Sequence, residues 1–266
     1  MFAGLKEIGF KIVSLILILM LAALIVAVII SIVTHTSVES LVSSLTSGEI
    51  WFAVRLSLVT SIISTLICLV VSLPAAYAIA RFDFHGKSIL NTVLNIPLAL
   101  PPLVAGLGLL ILFGTTAFGK SLADIGIKFV FTPAGIVLAQ FFVNVPFTLR
   151  VLRSTFLDIN PRYEYVAQTL GYTETGAFLK ATLPMAKNGL MAAIAITWCR
   201  GIGEFGAVLM LAGATRLQTE TLPISLYLDM LCGDLSMATA AATILIGLSL
   251  IMLYFFERLS DHSRVF

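Results

Sequence analysis

Hydrophobic positions gather into six long runs, 12–33, 56–80, 88–113, 133–156, 189–211 and 235–256, parted by short polar stretches. Each run exceeds the ~20 apolar residues that cross a hydrocarbon core of ~30 Å. Lipid offers backbone groups no water to bond, so such runs predict helices and exclude an open sheet. Pro74, Pro97, Pro101, Pro102 and Pro146 fall inside them. Each proline removes a backbone donor, which predicts bends that neighbouring helices re-satisfy. The pattern predicts an all-α integral membrane protein of about six transmembrane helices, with residues 1–266 as a single domain. The first run follows Lys6 and Lys11. It outlasts the ~7–15 residue core of a cleaved leader, so a retained span is expected.

One polar interruption, 158–187, is built differently. Arg162, Glu164, Glu174 and Lys180 prevent it from crossing lipid. Asn160 suits a helix N-cap and Pro161 the first helical position. Glu164 in the first turn complements the helix dipole, and Gly171 is placed to end the helix in a left-handed conformation. A helix of about ten residues, ~15 Å, is expected. Tyr165, Val166, Thr169 and Leu170 share one face at helical spacing. Two readings stay open: a helix lying on the lipid surface, or a peg for a groove on another protein.

Charge adds orientation. Charged residues make up 11% of the chain, against ~25% in soluble domains. The net charge of +2 identifies no partner, but its distribution is uneven. With both termini inside, one side holds Lys6, Lys11, Arg81, Lys87, Arg150, Arg153, Arg162, Lys180, Lys187, Arg258 and Arg264. The other holds only Lys120, Lys128 and Arg216. The positive-inside rule then places the 158–187 loop in the cytoplasm. Cys68, Cys199 and Cys232 lack metal spacing and read as free thiols, and His35, His85 and His262 are too far apart in sequence to suggest a metal site.

Two nucleotide motifs fail on context. Gly114–Ser121 fits the phosphate-loop pattern, and Gly201-Ile-Gly203-Glu-Phe-Gly206 fits the dinucleotide fingerprint. Both need a strand before the glycines and a helix after them. The first follows a proline-containing membrane run and the second lies within the fifth, where small residues serve close helix packing.

Arg200 and Glu204, also in the fifth run, are four residues apart and so expected on one helix face near mid-bilayer. They read either as a self-neutralising structural pair or as a pathway site, with Arg200 attracting an anion. Thr60, Ser61 and Ser64 in the second run offer hydroxyls to a path, or bond to their own backbone. Thr221–Leu231, with Pro223 near its start, is expected to form a short helix on the outside, facing a partner or lying at the interface.

The 158–187 segment resembles the cytoplasmic loop of permease subunits of ATP-binding cassette importers. That loop reads Glu-Ala-Ala, three residues, Gly, nine residues, Ile, one residue, Leu-Pro. Here Ala167, Gly171, Leu183 and Pro184 are in register. Val166 replaces an Ala, Ala181 the Ile, and Tyr165 stands at the Glu position with Glu164 one place early. Leu73-Pro74-Ala-Ala76-Tyr77 with Ala80-Arg81, Pro97 to Pro102 with Gly106, Gly203-Glu204-Phe205-Gly206-Ala207, and Thr221-Leu222-Pro223 resemble the molybdate, tungstate and sulfate branch. The resemblance implies the type I importer permease fold in the cytoplasmic membrane. It also implies pairing with a second copy, two cytoplasmic ATPase subunits that use ATP and magnesium, and an external oxyanion-binding protein. No cofactor, metal or nucleic acid is implied for this chain. The coupling residues would be Arg162, Glu164, Tyr165, Val166, Ala167, Thr169, Leu170, Gly171, Leu183 and Pro184. Phe205, where sulfate permeases tend to have Tyr, favours molybdate or tungstate over sulfate or thiosulfate. A proton-coupled secondary transporter using Glu204 is the rival from another class. Catalysis is not expected, since the spans hold no Ser/His, paired-Asp or His-rich spacing.

Overall fold

The structure is a computed structural model that describes residues 2–261, with side-chain positions for residues 10–256 and Arg258. The Lys6 side chain and Arg264, both used in the charge count, lie outside that description. Fourteen α-helices follow in order among the described residues: α1 (Phe2–His35), α2 (Val38–Thr46), α3 (Gly48–Arg81), α4 (Lys87–Ala99), α5 (Pro102–Gly114), α6 (Ala117–Asp124), α7 (Pro133–Asp158), α8 (Arg162–Thr169), α9 (Glu174–Ala177), α10 (Leu183–Met185), α11 (Lys187–Ile202), α12 (Gly206–Ala212), α13 (Leu222–Leu231) and α14 (Leu235–Asp261). A π-helical turn, Phe178–Thr182, joins α9 to α10.

Among the described residues, four helices are long and apolar enough to cross a membrane: α1 from Phe10, α3, α7 and α14 to Phe256. The third and fifth runs are each broken into two helices, a sharper change than the bends expected at Pro97, Pro101 and Pro102 in the third and an unexpected one in the fifth. The third is two helices, α4 and α5, bent by 110°. Its cause is the Pro101-Pro102 pair. A residue before proline is driven out of the helical region, and Leu100 and Pro101 are both extended, with ψ of 134° and 137°. Pro102 then restarts a helix at its first position. The lone prolines, Pro74, Pro97 and Pro146, remain within continuous helices. The fifth run is α11 and α12, bent by 58° across Gly203–Phe205.

The two half-helices after the breaks, α5 and α12, pack on each other. A Cβ on Gly106 would stand 2.7 Å from the Ala207 backbone, so only glycine permits this approach. They share a buried apolar cluster with α7 that includes Ala105, Leu109, Ile136, Val208 and Leu211. A second cluster, at the end that carries the 158–187 loop, includes Ala76, Ile79, Leu152, Phe156 and Ala186.

The most extensive interface joins α3 to α7. The α3 face there is a row of small polar residues, Ser57, Ser61, Ser64, Thr65, Cys68 and Ser72, all buried. Opposite lie Gln140, Asn144 and Thr148 of α7, spaced four apart. By contrast α1 buries none of its apolar window, and its extensive packing among the described residues is along α14, as suits a helix facing lipid or another chain.

The second run begins eight residues early, because Ser47 caps Ile50 N–H at 3.2 Å and starts α3 at Gly48. The extra turns leave α3 at 34 residues, about 51 Å. At the end opposite the loop, Arg216 bonds Glu49 of α3 at 2.9 Å, Glu220 at 3.0 Å and Asp229 of α13 at 2.6 Å. The hydrogen bond that Arg216 donates to Asp229, with the other carboxylates, holds the guanidinium's pKa above its ordinary range.

Candidate functional site

The polar interruption folds as a compact loop. Pro161 already has helical angles, φ −58° and ψ −20°, and Asn160 Oδ1 accepts the Arg162 N–H at 3.0 Å, as its capping chemistry predicts. α8 is eight residues long, shorter than the ten expected. At its end Gly171 has φ +93°. The Gly171 N–H bonds Gln168 O at 2.9 Å and the Tyr172 N–H bonds Ala167 O at 3.2 Å. This is the paired closure that needs a left-handed residue at the first position past the cap.

The faces of α8 divide sharply. Val166 and Leu170 point outward, Leu170 at 75% exposure, Tyr165 is exposed at the edge of a cavity facing α3, and Arg162 and Thr169 are exposed beside them. Ala167 and Glu164 point inward, and Glu164 is only 7% exposed. The dipole role expected for Glu164 is therefore secondary. Its Oε1 accepts from Arg81 Nε at 2.9 Å and from the Thr182 hydroxyl at 2.7 Å. Its Oε2 accepts from the Tyr77 hydroxyl at 2.7 Å. Burial pushes its pKa up, but the bonds from Thr182, Tyr77 and Arg81 outweigh that and leave it below the ordinary 4.5. Leu183 and Pro184 sit beyond the π-helical turn, in the short α10 that leads into α11.

The mid-span candidates are less united than their sequence positions suggest. Arg200 and Glu204 do not share a helix face, because α11 ends at Ile202. Glu204 is buried in the break, and its Oε1 accepts the Ala207 N–H of α12 at 3.0 Å. Arg200 is exposed, its guanidinium carbon 3.7 Å from the centre of the Phe147 ring. Neither is in an ion pair among the described residues. The break follows from Gly203, a poor helix former, and from Glu204 competing for the backbone donors of the next turn.

Thr60, Ser61 and Ser64 are buried between α3 and α7. The Thr60 hydroxyl donates to Leu56 O at 2.8 Å, and that of Ser61 to Leu58 O at 3.1 Å. Ser64 Oγ and both amide atoms of Asn144 lack a partner among the described residues. Gln140 reaches across from α7, its Nε2 donating to Gly201 O at 2.9 Å. Sequence reading missed Gln140 and Asn144, although two amides four apart inside a membrane run were a visible signal. It also missed Thr182, for which no spacing rule exists.

Thr221–Leu231 is a helix, as expected, but its first half is not free to face a partner. Leu222, Pro223, Ile224 and Ser225 are buried, and the Leu222 N–H donates to Ser57 Oγ of α3 at 2.8 Å. The two nucleotide motifs sit in helix ends and turns, each preceded by a helix, so the geometry they require is absent.

With an exposed loop helix, two broken spans and a bundle of long apolar helices in view, comparison with known proteins decides the family. The profile described as "Binding-protein-dependent transport system inner membrane component" matches residues 72–264. The chain belongs to this family. Among its relatives, the "Sulfate transport system permease protein CysT" of Salmonella typhimurium is 34% identical over 203 residues, covering 76% of this chain and 73% of that one. A "Probable molybdenum ABC transporter permease protein" of Haloferax volcanii is 35% identical over 193 residues, covering 73% and 69%. Among solved structures, a bacterial alginate ABC importer gives a TM-score of 0.71 at 18% identity, covering 85% of this chain and 84% of that one. The MetNI methionine ABC transporter in inward-facing form gives 0.60 at 18% identity, covering 79% and 94%. This protein is thus a membrane-spanning permease component of an ABC importer, the family's transmembrane part and not its ATPase.

Proposed function

We propose that the protein carries a tetrahedral oxyanion, molybdate or tungstate, inward across the cytoplasmic membrane as one of two permease copies. Two cassette ATPases grip the copies from the cytoplasm, using ATP and magnesium, and an external binding protein delivers the anion. Both termini and the 158–187 loop face the cytoplasm, the orientation favoured by the charge bias.

The observation that carries this reading is the division of α8: Tyr165, Val166 and Leu170 exposed for a partner, Glu164 and Ala167 turned into the chain. ATP binding then needs only to favour one arrangement of the spans over the other. Arg200 supports an anionic cargo. A lone arginine near mid-bilayer costs about 2.5–3.5 kcal/mol on insertion scales, and the Phe147 contact offsets about 0.5–2 kcal/mol of that. The remainder is tolerable where the side chain meets water or a second copy, so we place it on the path between the copies. Relatives named for sulfate and for molybdenum transport both support an oxyanion. Sulfate is the second reading, favoured by the 34% identity to a sulfate permease. Family membership sets aside the proton-coupled alternative, and Glu204 acts as a cap for α12.

The test is uptake into proteoliposomes that hold the permease with its ATPase and binding protein, without a proton gradient. ATP-dependent uptake of labelled molybdate or tungstate, with sulfate excluded, is the expected result. Preferential sulfate uptake would move the substrate to the second reading, and uptake of no oxyanion would refute the proposal.

A further inference from the structure

Resting on that reading, we infer that Glu164 is the transmission residue of the loop: it fastens α8 to the cytoplasmic end of α3, so that a pull on the outer face of α8 is delivered to α3. Extensive packing of α8 on α3 does not make this link, although Phe178 of the π-helical turn packs on Tyr77 of α3, ring centroids 4.6 Å apart. α8 packs on α9 and the π-helical turn, and a cavity of about 540 Å³ separates it from α3, with Pro74, Ala78 and Phe82 on one wall and Tyr165 and Gln168 on the other.

The Glu164 carboxylate bridges that gap. Two of its donors, Tyr77 and Arg81, are one turn apart on α3. The third, Thr182, lies on the exit side of the loop. Arg81 also donates from Nη2 to Ile159 O at 2.9 Å, on the entry side. One buried group therefore joins both arms of the loop to one helix. The Arg81 and Glu164 side chains are each 9% exposed, so water screens the pair little. Beyond Arg81 the route is continuous, since α3 runs unbroken to Gly48 and ends beside the Glu49–Arg216 pair. Its row of small hydroxyl residues against α7 gives a surface that can shift without large side chains colliding.

The sequence accounts for why this is separable from docking. Glu164 stands one place before the position at which the importer loop usually carries its Glu, and that usual position holds the exposed Tyr165. Glu164 is 7% exposed where its neighbour Tyr165 is 62% exposed, so the bonded carboxylate and the exposed ring are separate groups.

The test uses the full complex with ATPase and binding protein in nanodiscs, in a background free of native cysteines. One spin label is placed at Tyr163 of α8, or in a separate sample at Phe84 just past α3; both positions are exposed. Each label reports its distance to the same site on the second copy. In the otherwise unaltered protein, both distances shift on ATP binding. In Glu164→Gln and Arg81→Gln the Tyr163 distance still shifts, the Phe84 distance does not, and oxyanion uptake per ATP hydrolysed falls tenfold or more. Glu164→Asp retains most of the coupling. The inference is overturned if Glu164→Gln moves the Phe84 pair and transports as the parent does. It is equally overturned if the variant merely fails to co-purify with the ATPase, which would make the cluster a folding element of the dock. If the parent complex shows no ATP-dependent shift and no uptake, the importer reading itself has failed.

Discussion

Replacing Gly171 tests the dock through the backbone alone. At φ +93° an L-residue is strained, yet a Cβ there would meet nothing within 4 Å. The cost is therefore conformational, about 1–2 kcal/mol for a left-handed L-residue and up to ~3 kcal/mol for a sparsely populated region. A relaxed loop would lose the closure in which the Tyr172 N–H bonds Ala167 O, and Leu170 would leave its place beside Val166. One or two kcal/mol corresponds to roughly 5–30-fold in the population of the docked geometry. The assay is titration of the purified permease with its ATPase in nanodiscs, scoring affinity and binding-protein-stimulated hydrolysis. Affinity should fall in the order Gly, Asn, Ala, Val, because Asn tolerates the left-handed region best. Gly171→Glu adds charge to the same strain and should abolish stimulation. An affinity in Gly171→Val equal to that of the parent would refute the argument, since no contact exists to compensate.

Three further outcomes follow from the same geometry. Arg200→Gln should reduce oxyanion uptake at least tenfold while Arg200→Lys retains part of it; equal uptake by both variants and the parent would remove Arg200 from the anion path. The lowered pKa of Glu164 means that its contribution to loop stability is complete above the ordinary 4.5 and is lost as pH falls through the lowered value. Limited proteolysis of the 158–187 loop should therefore accelerate in acid for the parent and show no such step in Glu164→Gln. Gly106→Ala should lower the melting midpoint in detergent by several degrees. The added methyl group would crowd the Ala207 backbone at 2.7 Å, and overpacking of this kind costs about 1–3 kcal/mol.

Much of the architecture was legible because lipid enforces one rule: apolar runs long enough to cross become helices. The loop was legible for the opposite reason, since Arg162, Glu164, Glu174 and Lys180 exclude it from lipid. Capping chemistry at Asn160 and Gly171 marked the ends of α8 to within a residue or two. The breaks were less legible. Hydropathy does not register where a helix stops inside an apolar run, so 88–113 read as one bent span and 189–211 as one unbroken span. Pro101-Pro102 carried the signal for the first break, because consecutive prolines stop a helix where single ones only bend it. Gly203 carried a weaker one for the second. The inward turn of Glu164 was not readable at all. Helical spacing places it on the face of α8 opposite Val166, but the partners that fix it come from α3 and the π-helical turn, far away in sequence. In the same way, the expectation that Arg200 and Glu204 share a face failed at a break between them.

The central claim is that the outer face of α8 is held by a nucleotide-hydrolysing subunit. Photo-crosslinking from Val166, replaced by a benzophenone amino acid in the assembled transporter, tests it most directly. The account predicts one dominant adduct with the ATPase subunit, whose yield changes between nucleotide-free and ATP-bound states. Adducts confined to lipid or to the permease itself in every state would contradict it.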